Sequence, residues 1–372
     1  MLRSLAAVGC ITLCLAGGIA PCYADEPQFG ADYTQDFFRD VTGGVERGGG
    51  APGIVNFNGA FDSGNDSFYV DFLGTFGSSI SDRAGDIQGL SNIEAHNTFR
   101  LYEAWYQHSF GASGVMLRGG LQDYAVLFNN LEPAQLFVNS SFGTDATIAQ
   151  VGPSIFPETT VGLVTRWQSQ RGAYVMGGVY DGKPGAPGHP NGTHIELRSG
   201  DGVFAAFEAG IAGGDAQSYK AAIGGWYRTS RYTDPAGRAR DRNGGVYAIG
   251  SLRVTADRAL PAVDVFAQFG RARSDRNDLE SYIGLGTTVT GLFPGRPDDA
   301  LGFGIARAHA SNVFRRVNID AADAETAFEL TYQFALESGL SIQPDVQYIV
   351  DPGALTHVDN AWAAGIRIAY AL

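Results

Sequence analysis

Cysteine is almost missing from this sequence. All three cysteines lie at positions 10, 14 and 22, so the chain has none from residue 25 onward. This excludes stabilisation by disulfides and any thiolate metal site in that part of the chain. Its stability must come from burial or from a closed hydrogen-bond network.

Lysine is also scarce, because only Lys183 and Lys220 occur and arginine supplies the remaining positive charge. The formal net charge is −13 at pH 7. An acidic balance argues against a nucleic-acid partner, since binding to phosphate backbones needs a basic surface. The negative charge suits a water-exposed surface that tolerates cations, but it does not identify a substrate.

Long apolar runs are missing after the first 24 residues, so no segment reaches the roughly 20 residues of a membrane-spanning helix. In the first 24, Arg3 precedes an apolar run from Leu5 to Ala20, and Cys22-Tyr23-Ala24 resembles a cleavage site. We expect residues 1–24 to be a secretory signal peptide and 25–372 to form a single domain. Lipid attachment at Cys22 is the alternative, but the preceding Ile19-Ala20-Pro21 is unfavourable for it.

Glycine and aromatic residues are abundant, with 51 glycines and 12% aromatics. They accompany short segments in which apolar and polar residues alternate. In Ser67 to Gly77, for example, Phe68, Val70 and Phe72 share one face, and Tyr69 and Asp71 share the other. Such alternation keeps lipid on one side of a barrel strand and water on the other. We count sixteen such segments and predict an all-β fold, a 16-stranded antiparallel transmembrane β-barrel.

The connections between these segments support the count. Long connections follow odd-numbered strands, at 78–97, 125–158, 182–202, 231–243, 311–324 and 351–359, and short turns such as SGND, GASG and SQRG follow even-numbered ones. The connections after strands 10, 11 and 12 do not follow this alternation of long and short connections clearly. Outer-membrane barrels have long extracellular loops and short periplasmic turns.

The longest connection, 125–158, lacks alternation but is rich in aromatic and amide side chains. Loops of this length inside a compact domain usually have a function. We predict that it folds into the bore as a constriction loop, with Phe137, Phe142 and Phe156 as apolar anchors.

The hairpin that precedes this loop carries hydrogen-bonding groups and an aromatic ring, the residue types that can line a selective bore. Strict alternation would turn Glu103 toward lipid, at a cost in energy, so we predict a β-bulge at Tyr102–Glu103. With the bulge, six side chains face the bore: Arg100, Glu103, Trp105, Gln107, Arg118 and Gln122.

The role of these side chains stays open between ordinary lining of the lumen and direct contact with the solute. Asp123 and Asn139 are candidates as well, although hydrogen bonds from them to the loop are the alternative, which we favour for Asn139. On the opposite wall we expect Glu329, Gln343, Asp345 and Gln347 to face inward, either as water-facing wall or as sugar contacts.

Enzymatic motifs are weak. The six histidines are scattered near element ends, and His189 and His194 lie in a Gly/Pro-rich loop without a matching carboxylate or cysteine pattern. No GxSxG elbow or phosphate-binding loop is present. We therefore predict no enzyme, no cofactor and no metal.

Five stretches, in order, resemble the carbohydrate-selective porins of the OprB type: LYEAWYQHSF (101–110), LRGGLQDY (117–124), LFVNSSFG (136–143), ETAFELTYQ (325–333) and IQPDVQYIVDPG (342–353). The resemblance is strongest in 97–165 and 325–372. It implies a sixteen-stranded barrel that admits glucose and related sugars by diffusion, without a cofactor. The terminal AGIRIAYAL resembles the recognition signal of the barrel assembly machinery, although that signal usually ends in Phe and here ends in Leu.

The first hypothesis is therefore a passive sugar channel in the outer membrane of a Gram-negative bacterium. Its expected partners are neutral sugars, outer-membrane lipid or lipopolysaccharide, and the assembly machinery, as a monomer or trimer and without nucleic acid. A general, cation-leaning or acid-selective porin is the second hypothesis, and an outer-membrane enzyme or adhesin is the third.

Overall fold

The structure, a computed structural model, describes residues 26–186, 189, 191–193, 195, 197–214, 219–255, 261–336 and 339–372. The expected signal peptide and His194 lie outside these residues. None of the helices in the described part of the chain is long and apolar enough to span a bilayer.

The dominant element is one large antiparallel sheet. Among the described residues it has seventeen strands, of which one is the three-residue Gly48–Gly50, so sixteen long strands remain. In chain order these are β1 (Gln28–Gly44), β2 (Gly53–Ser63), β3 (Asp66–Phe76), β4 (Thr98–Ser109), β5 (Val115–Gln122), β6 (Thr160–Gln168), β7 (Ala173–Asp181), β8 (Val203–Gly213), β9 (Tyr219–Arg228), β10 (Asn243–Arg253), β11 (Ala262–Ala272), β12 (Leu279–Thr290), β13 (Ala300–Ala310), β14 (Ala324–Ala335), β15 (Leu340–Val350) and β16 (Asp359–Ala371).

The sheet closes on itself. β1 pairs with β2 along Gln28–Gln35 and with β16 from Asp32 onward, and both pairings are antiparallel. The predicted 16-stranded barrel is therefore confirmed. Closure satisfies every strand edge, which a sheet surrounded by lipid requires because no water is available to satisfy a free edge.

The strands form because their side chains alternate between an apolar outer face and a polar inner face. In β3, Phe68 and Phe72 are 48% and 41% exposed, whereas Asp71 is 4% exposed. The same alternation continues in β14, where Leu330 is exposed and Glu329 is buried. The outward residues meet the membrane, and the inward ones meet the loops that fill the bore.

The lengths of the connections between strands show which end of the barrel is extracellular. Two residues join β2 to β3, and turns of four or five residues join β4 to β5, β6 to β7 and β14 to β15. The connections at the other end include 77–97 and 123–159. Since short turns are periplasmic in such barrels, the end with the long loops is extracellular.

Two of the extracellular loops fold into the barrel. Loop L2 (77–97) contains the short helix α1 (Ser81–Ala84). Loop L3 (123–159) contains α2 (Ser140–Gly143), α3 (Ala146–Ala149) and a 3-10 turn at Glu132–Leu136. L3 begins two residues before the constriction loop expected at 125–158, because β5 ends at Gln122. The last helix, α4 (Asn312–Val317), lies in a later extracellular loop.

Aromatic side chains anchor L3 to the wall. Tyr124 and Phe128 stack with ring centroids 5.1 Å apart, and Tyr124 meets Phe204 of β8 edge-on at 5.4 Å. Phe137 and Phe142 both meet Phe266 of β11, with ring centroids 5.5 and 6.0 Å apart. Each aromatic ring buries a large apolar area, so these contacts hold the loop across the bore. Of the three expected anchors, Phe137 and Phe142 are buried, and Phe156 is only half-buried.

Candidate functional site

The predicted bulge in β4 is confirmed. Asp71 of β3 pairs with Glu103, and the next residue, Phe72, pairs with Leu101, so Tyr102 has no partner on β3. Beyond the bulge, Gln107 faces Arg118 across the β4–β5 hairpin. The extra residue turns Glu103 inward, where it is buried. The side chains of Arg100, Arg118 and Gln122 are also buried inside the barrel.

Trp105 and Arg118 form a stack below Glu103. The guanidinium carbon of Arg118 lies 3.8 Å from the ring centroid of Trp105, and the ring of Tyr69 stacks against Trp105 at 5.2 Å. Arg118 also donates from Nη2 and Nε to Gln107 Oε1, at 2.8 and 3.1 Å. With Arg118 and Tyr69 against it, Trp105 supports Arg118 rather than offering an open face to a sugar.

Glu103 and Asp123 fix the root of L3. Glu103 Oε1 accepts from the backbone N–H of Asp123 at 2.8 Å, and the Tyr102 hydroxyl donates to the Asp123 carboxylate. Asp123 Oδ1 also accepts from Ala125 N at 2.6 Å. Burial raises the pKa of Asp123 to about 6. Asp123 therefore pins the loop, which is the alternative considered for it.

Two further candidate residues, Arg100 and Gln122, bind the end of L3 and the backbone of β6. Arg100 donates to Thr98 Oγ1 at 3.2 Å, and its Nη1 lies 3.6 Å from Glu158 Oε1 at the end of L3. Gln122 donates from Nε2 to Gly162 O at 2.9 Å. Both side chains point inward as expected, and both contact elements that border the bore.

The opposite wall differs from the expectation. Glu329, Gln343, Asp345 and Gln347 face inward, but none is more than 2% exposed. Glu329 accepts from Val138 N at 2.6 Å and Asn139 N at 3.0 Å, and Gln343 donates to Leu136 O at 2.7 Å. L3 covers this wall, so the expectation of a water-facing wall is wrong. Glu329, Gln343 and Gln347 hold the loop instead, and Asp345 accepts from Gln347 Nε2 at 3.0 Å.

Asn139 has the structural geometry that we favoured for it. Its Nδ2 donates to Gln347 Oε1 at 3.1 Å, and its Oδ1 accepts from Ser141 N and Oγ at 3.1 and 2.7 Å. It thus caps the N-terminus of α2 and joins L3 to β15.

Sequence reasoning missed a second inward loop, L2. Glu325 of β14 accepts from Ile87 N at 2.8 Å and from Gln88 N at 3.1 Å. Arg367 of β16 donates to Asp36 twice at 2.8 Å and to Asn92 Oδ1 at 2.7 Å. Buried charges need such partners, so inward carboxylates at the extracellular ends of strands were the available signal.

Glu208 of β8 is a further clamp that the sequence did not reveal. It accepts from the hydroxyls of Tyr174 and Tyr247 at 2.6 and 2.7 Å and from Asn129 N of L3 at 2.9 Å. Lys220 Nζ lies 3.3 Å from it. These partners come from distant parts of the chain, so no local motif could have identified the group.

Between L2 and L3 lies an open cavity of about 640 Å³ at the extracellular end. Among the described residues none of its lining side chains is Lys or Arg. The polar lining comprises Gln88, Asn92, Glu94, Asp123, Asn130, Gln135, Ser140, Ser141, Thr144, Gln150 and Asp278, and Phe156, Ile87, Ile155 and Val126 add apolar surface. Of the sequence-predicted site residues, this cavity includes Asp123 alone.

Comparisons with known proteins agree with this geometry. A family model described as carbohydrate-selective porin, OprB family, matches residues 65–372. The chain is 25% identical over 326 residues to Porin B of Pseudomonas aeruginosa, covering 77% of this chain and 71% of that protein.

Solved structures are similar in fold. The high-pH structure of Pseudomonas putida OprB has a TM-score of 0.85 at 19% identity, covering 93% of this chain and 94% of that one. The outer membrane channel DcaP of Acinetobacter baumannii has a TM-score of 0.60 at 9% identity, covering 96% and 100%. With the family model matching most of its length, the chain belongs to the OprB family of carbohydrate-selective porins and is an outer-membrane channel for sugar diffusion.

Proposed function

We propose that the cavity between L2 and L3 is the site where a saccharide such as glucose is first bound on its way through the channel. The observation that carries this proposal is the lining, which combines many amide and hydroxyl groups with several apolar side chains and lacks Lys and Arg among the described residues. A volume of about 640 Å³ falls within the usual range for small-molecule sites.

A sugar is neutral and covered in hydroxyls, and its ring has apolar faces. Amides supply both donors and acceptors, so Asn130, Gln135 and Gln150 suit the hydroxyls without attracting an ion. Phe156 is half-buried and borders the same space, where an aromatic ring suits the apolar face of a sugar.

Below the cavity, we assign the half-buried Gln107 to the narrow wall that the sugar passes, with the buried Arg118 and Glu103 behind it as positioning residues. Arg118 is held in place by Gln107 and Trp105, so its direction is fixed before a solute arrives. A guanidinium near a carboxylate offers strong hydrogen bonds while leaving the wall close to neutral. Arg100, Gln122, Asp123 and Asn139 position the surrounding elements.

The test is liposome swelling with glucose, larger saccharides and amino acids of similar size, together with sugar block of ion current in bilayers. We expect Gln135→Ala with Phe156→Ala to weaken glucose block, and Arg118→Ala to change glucose flux more than that of amino acids. Arg231→Ala, at an exposed ion pair with Asp241, is the control. If none of these variants differed from the control, the binding site would have to lie elsewhere.

A preference for cations is a second candidate property, because Glu94, Asp123 and Asp278 border the cavity and no cationic side chain in the described part of the chain does. This preference concerns the ions that accompany a neutral solute, and a sugar channel can have it as well.

A further inference from the structure

The outer surface of the barrel carries an arginine on its lipid-facing side at the extracellular end. Arg271 lies one residue before the end of β11 and shares its face with Val265 and Phe269, which are 38% and 42% exposed. Arg271 is exposed, and within the described part of the chain its side chain makes no hydrogen bond or ion pair. A charged side chain on this face needs a partner outside the protein.

Beside Arg271 lies a shallow groove of about 580 Å³. Val246 of β10 pairs with Arg271, and Gly244, on the same outward face as Val246, leaves part of the floor of the groove without a side chain. Arg273 and Asp275 complete the other side. The groove thus combines a small apolar floor with charged groups along one edge.

The balance of charge at this edge is positive. Asp275 is the one carboxylate among the described lining residues, and it is held by two guanidiniums, Arg276 Nη2 at 2.7 Å and Arg273 Nε at 3.3 Å. The hydrogen bond from Arg276 holds the pKa of Asp275 well below its usual range, so it stays ionised. Among the described lining residues, Arg271 and Arg273 against Asp275 leave one positive charge in excess, and Arg276 beside Asp275 adds a second cation. Asp278, in the following turn, lies on the side of the inner cavity.

We propose that this groove binds a phosphate of a phosphorylated glycolipid headgroup in the outer leaflet of the membrane. The end of a barrel strand lies at the level of the lipid headgroups, and arginine reaches toward that level while its stem stays in apolar surroundings. Guanidinium binds phosphate through paired hydrogen bonds, and basic pockets at this depth recognise lipid headgroups. The proposal does not depend on where the sugar binds.

A second arginine on the lipid-facing side of the barrel, Arg307, extends the positively charged surface. Arg307 of β13 pairs with Ile283, and Arg271 pairs with Ser281 on the same intervening strand. The two arginines are therefore two strands apart, roughly 10 Å laterally. Arg307 donates to Thr326 Oγ1 at 2.9 Å and keeps other N–H groups for a headgroup that bears a second phosphate. A symmetric contact between two copies of the chain would instead bring like charges together.

The experiment measures binding to the purified, folded barrel by native mass spectrometry. The probes are a diphosphorylated diglucosamine lipid, the same lipid after removal of both phosphates, and inorganic phosphate. We expect the wild type to bind the phosphorylated lipid in preference to the other two. R271Q/R273Q should lose this preference by about tenfold or more, which corresponds to 1.4 kcal/mol.

Two variants separate the groove from general effects of charge. Gly244→Phe fills the groove but keeps both arginines, and we expect it to weaken binding of the phosphorylated lipid as well. Arg39→Gln removes an exposed arginine from β1, on another part of the barrel, and should leave the preference unchanged. Glucose block of ion current should be normal in R271Q/R273Q, Gly244→Phe and Arg39→Gln. This separates the test of the lipid site from the test of the sugar site.

Several results would overturn the proposal. Equal binding of phosphorylated and dephosphorylated lipid would show that phosphate is not recognised, and retention of the preference in R271Q/R273Q would place the site elsewhere. Tight binding of inorganic phosphate with no preference for the lipid would identify a free-anion site. A change in oligomeric mass in R271Q/R273Q would show instead that this face joins copies of the chain.

Discussion

At the scale of single residues, the narrow wall depends on a side chain that is missing. Gly120 of β5 pairs with Trp105 and has φ of 139°. A Cβ at Gly120 would lie 2.3 Å from Ala104 O and 2.6 Å from Trp105 Cα. The absence of a side chain there leaves the Trp105 ring free for the guanidinium of Arg118.

Gly120→Ala should therefore destabilise the barrel by about 1–3 kcal/mol and displace Trp105 and Arg118. Urea unfolding of the detergent-solubilised barrel measures the first effect, and the tryptophan fluorescence spectrum measures the second. Gly119→Ala is the matched control, because a Cβ there meets only Leu163 at 3.4 Å. Equal behaviour of the two variants would contradict this account.

At the scale of elements, L3 is fixed to the wall by side chains of strands that are remote in sequence. Glu329 of β14 and Gln347 of β15 accept hydrogen bonds from Asn139, and Glu208 of β8 accepts one from Asn129. Hydrogen bonds to a charged group contribute about 1.5–3 kcal/mol. The loop is therefore held in one position and narrows the bore in a reproducible way.

Glu329→Gln tests this clamp. The amide keeps the shape but has one acceptor oxygen in place of two, so its NH2 group would face the N–H of Val138 or Asn139, and docking of this part of L3 should weaken by about 1–3 kcal/mol. We expect larger or noisier single-channel currents and weaker glucose block. Asp241→Asn, in an exposed ion pair, is the control. Unchanged currents in Glu329→Gln would show that the clamp does not hold the loop.

Asp145 gives L3 a dependence on pH. It caps α3 by accepting from Thr147 N at 2.7 Å, and burial raises its pKa to about 6 from 3.8. A raised carboxyl pKa means that the folded state prefers the proton. The stabilising contribution is thus complete below pH 3.8 and is lost as pH rises through about 6, by up to about 3 kcal/mol.

Asp145→Asn cannot titrate, so it should gain stability relative to the wild type between pH 4 and pH 7. The unfolding free energies of both proteins, measured at pH 4 and at pH 7, show how the difference between variant and wild type changes with pH. Other acidic groups contribute equally to both proteins and cancel. A difference that did not change with pH would mean that Asp145 does not carry the effect.

At the scale of the whole molecule, the barrel combines an acidic composition with an entrance whose described lining lacks cationic side chains. Asp278 is exposed at this entrance, at the start of β12. Local negative charge raises the concentration of cations near a pore mouth.

Asp278→Asn should therefore reduce the preference for cations over anions, read from the reversal potential in a salt gradient, and should change glucose flux in liposome swelling less than Gln135→Ala with Phe156→Ala does. The effect should fade at 1 M salt, where the Debye length is about 3 Å. A loss of glucose flux with no change in reversal potential would mean that Asp278 contacts the sugar instead.

The barrel was predictable from the order of the residues alone, because alternation with a period of two is a local property that each strand carries. The bulge at Tyr102 was predictable for the same reason, since Glu103 otherwise falls on the lipid side. The inward position of L3 was predictable from its length and composition.

The roles of the inward side chains depend on contacts that form when the chain folds. Glu329 and Gln347 have the pattern of a water-facing wall, and they become loop clamps because Val138 and Asn139 lie against them. Trp105 has the pattern of a sugar platform, and Arg118 covers it. Such partners lie tens to hundreds of residues apart along the chain, so no local pattern of residues records them. The entrance cavity likewise exists only because L2 and L3 fold inward together.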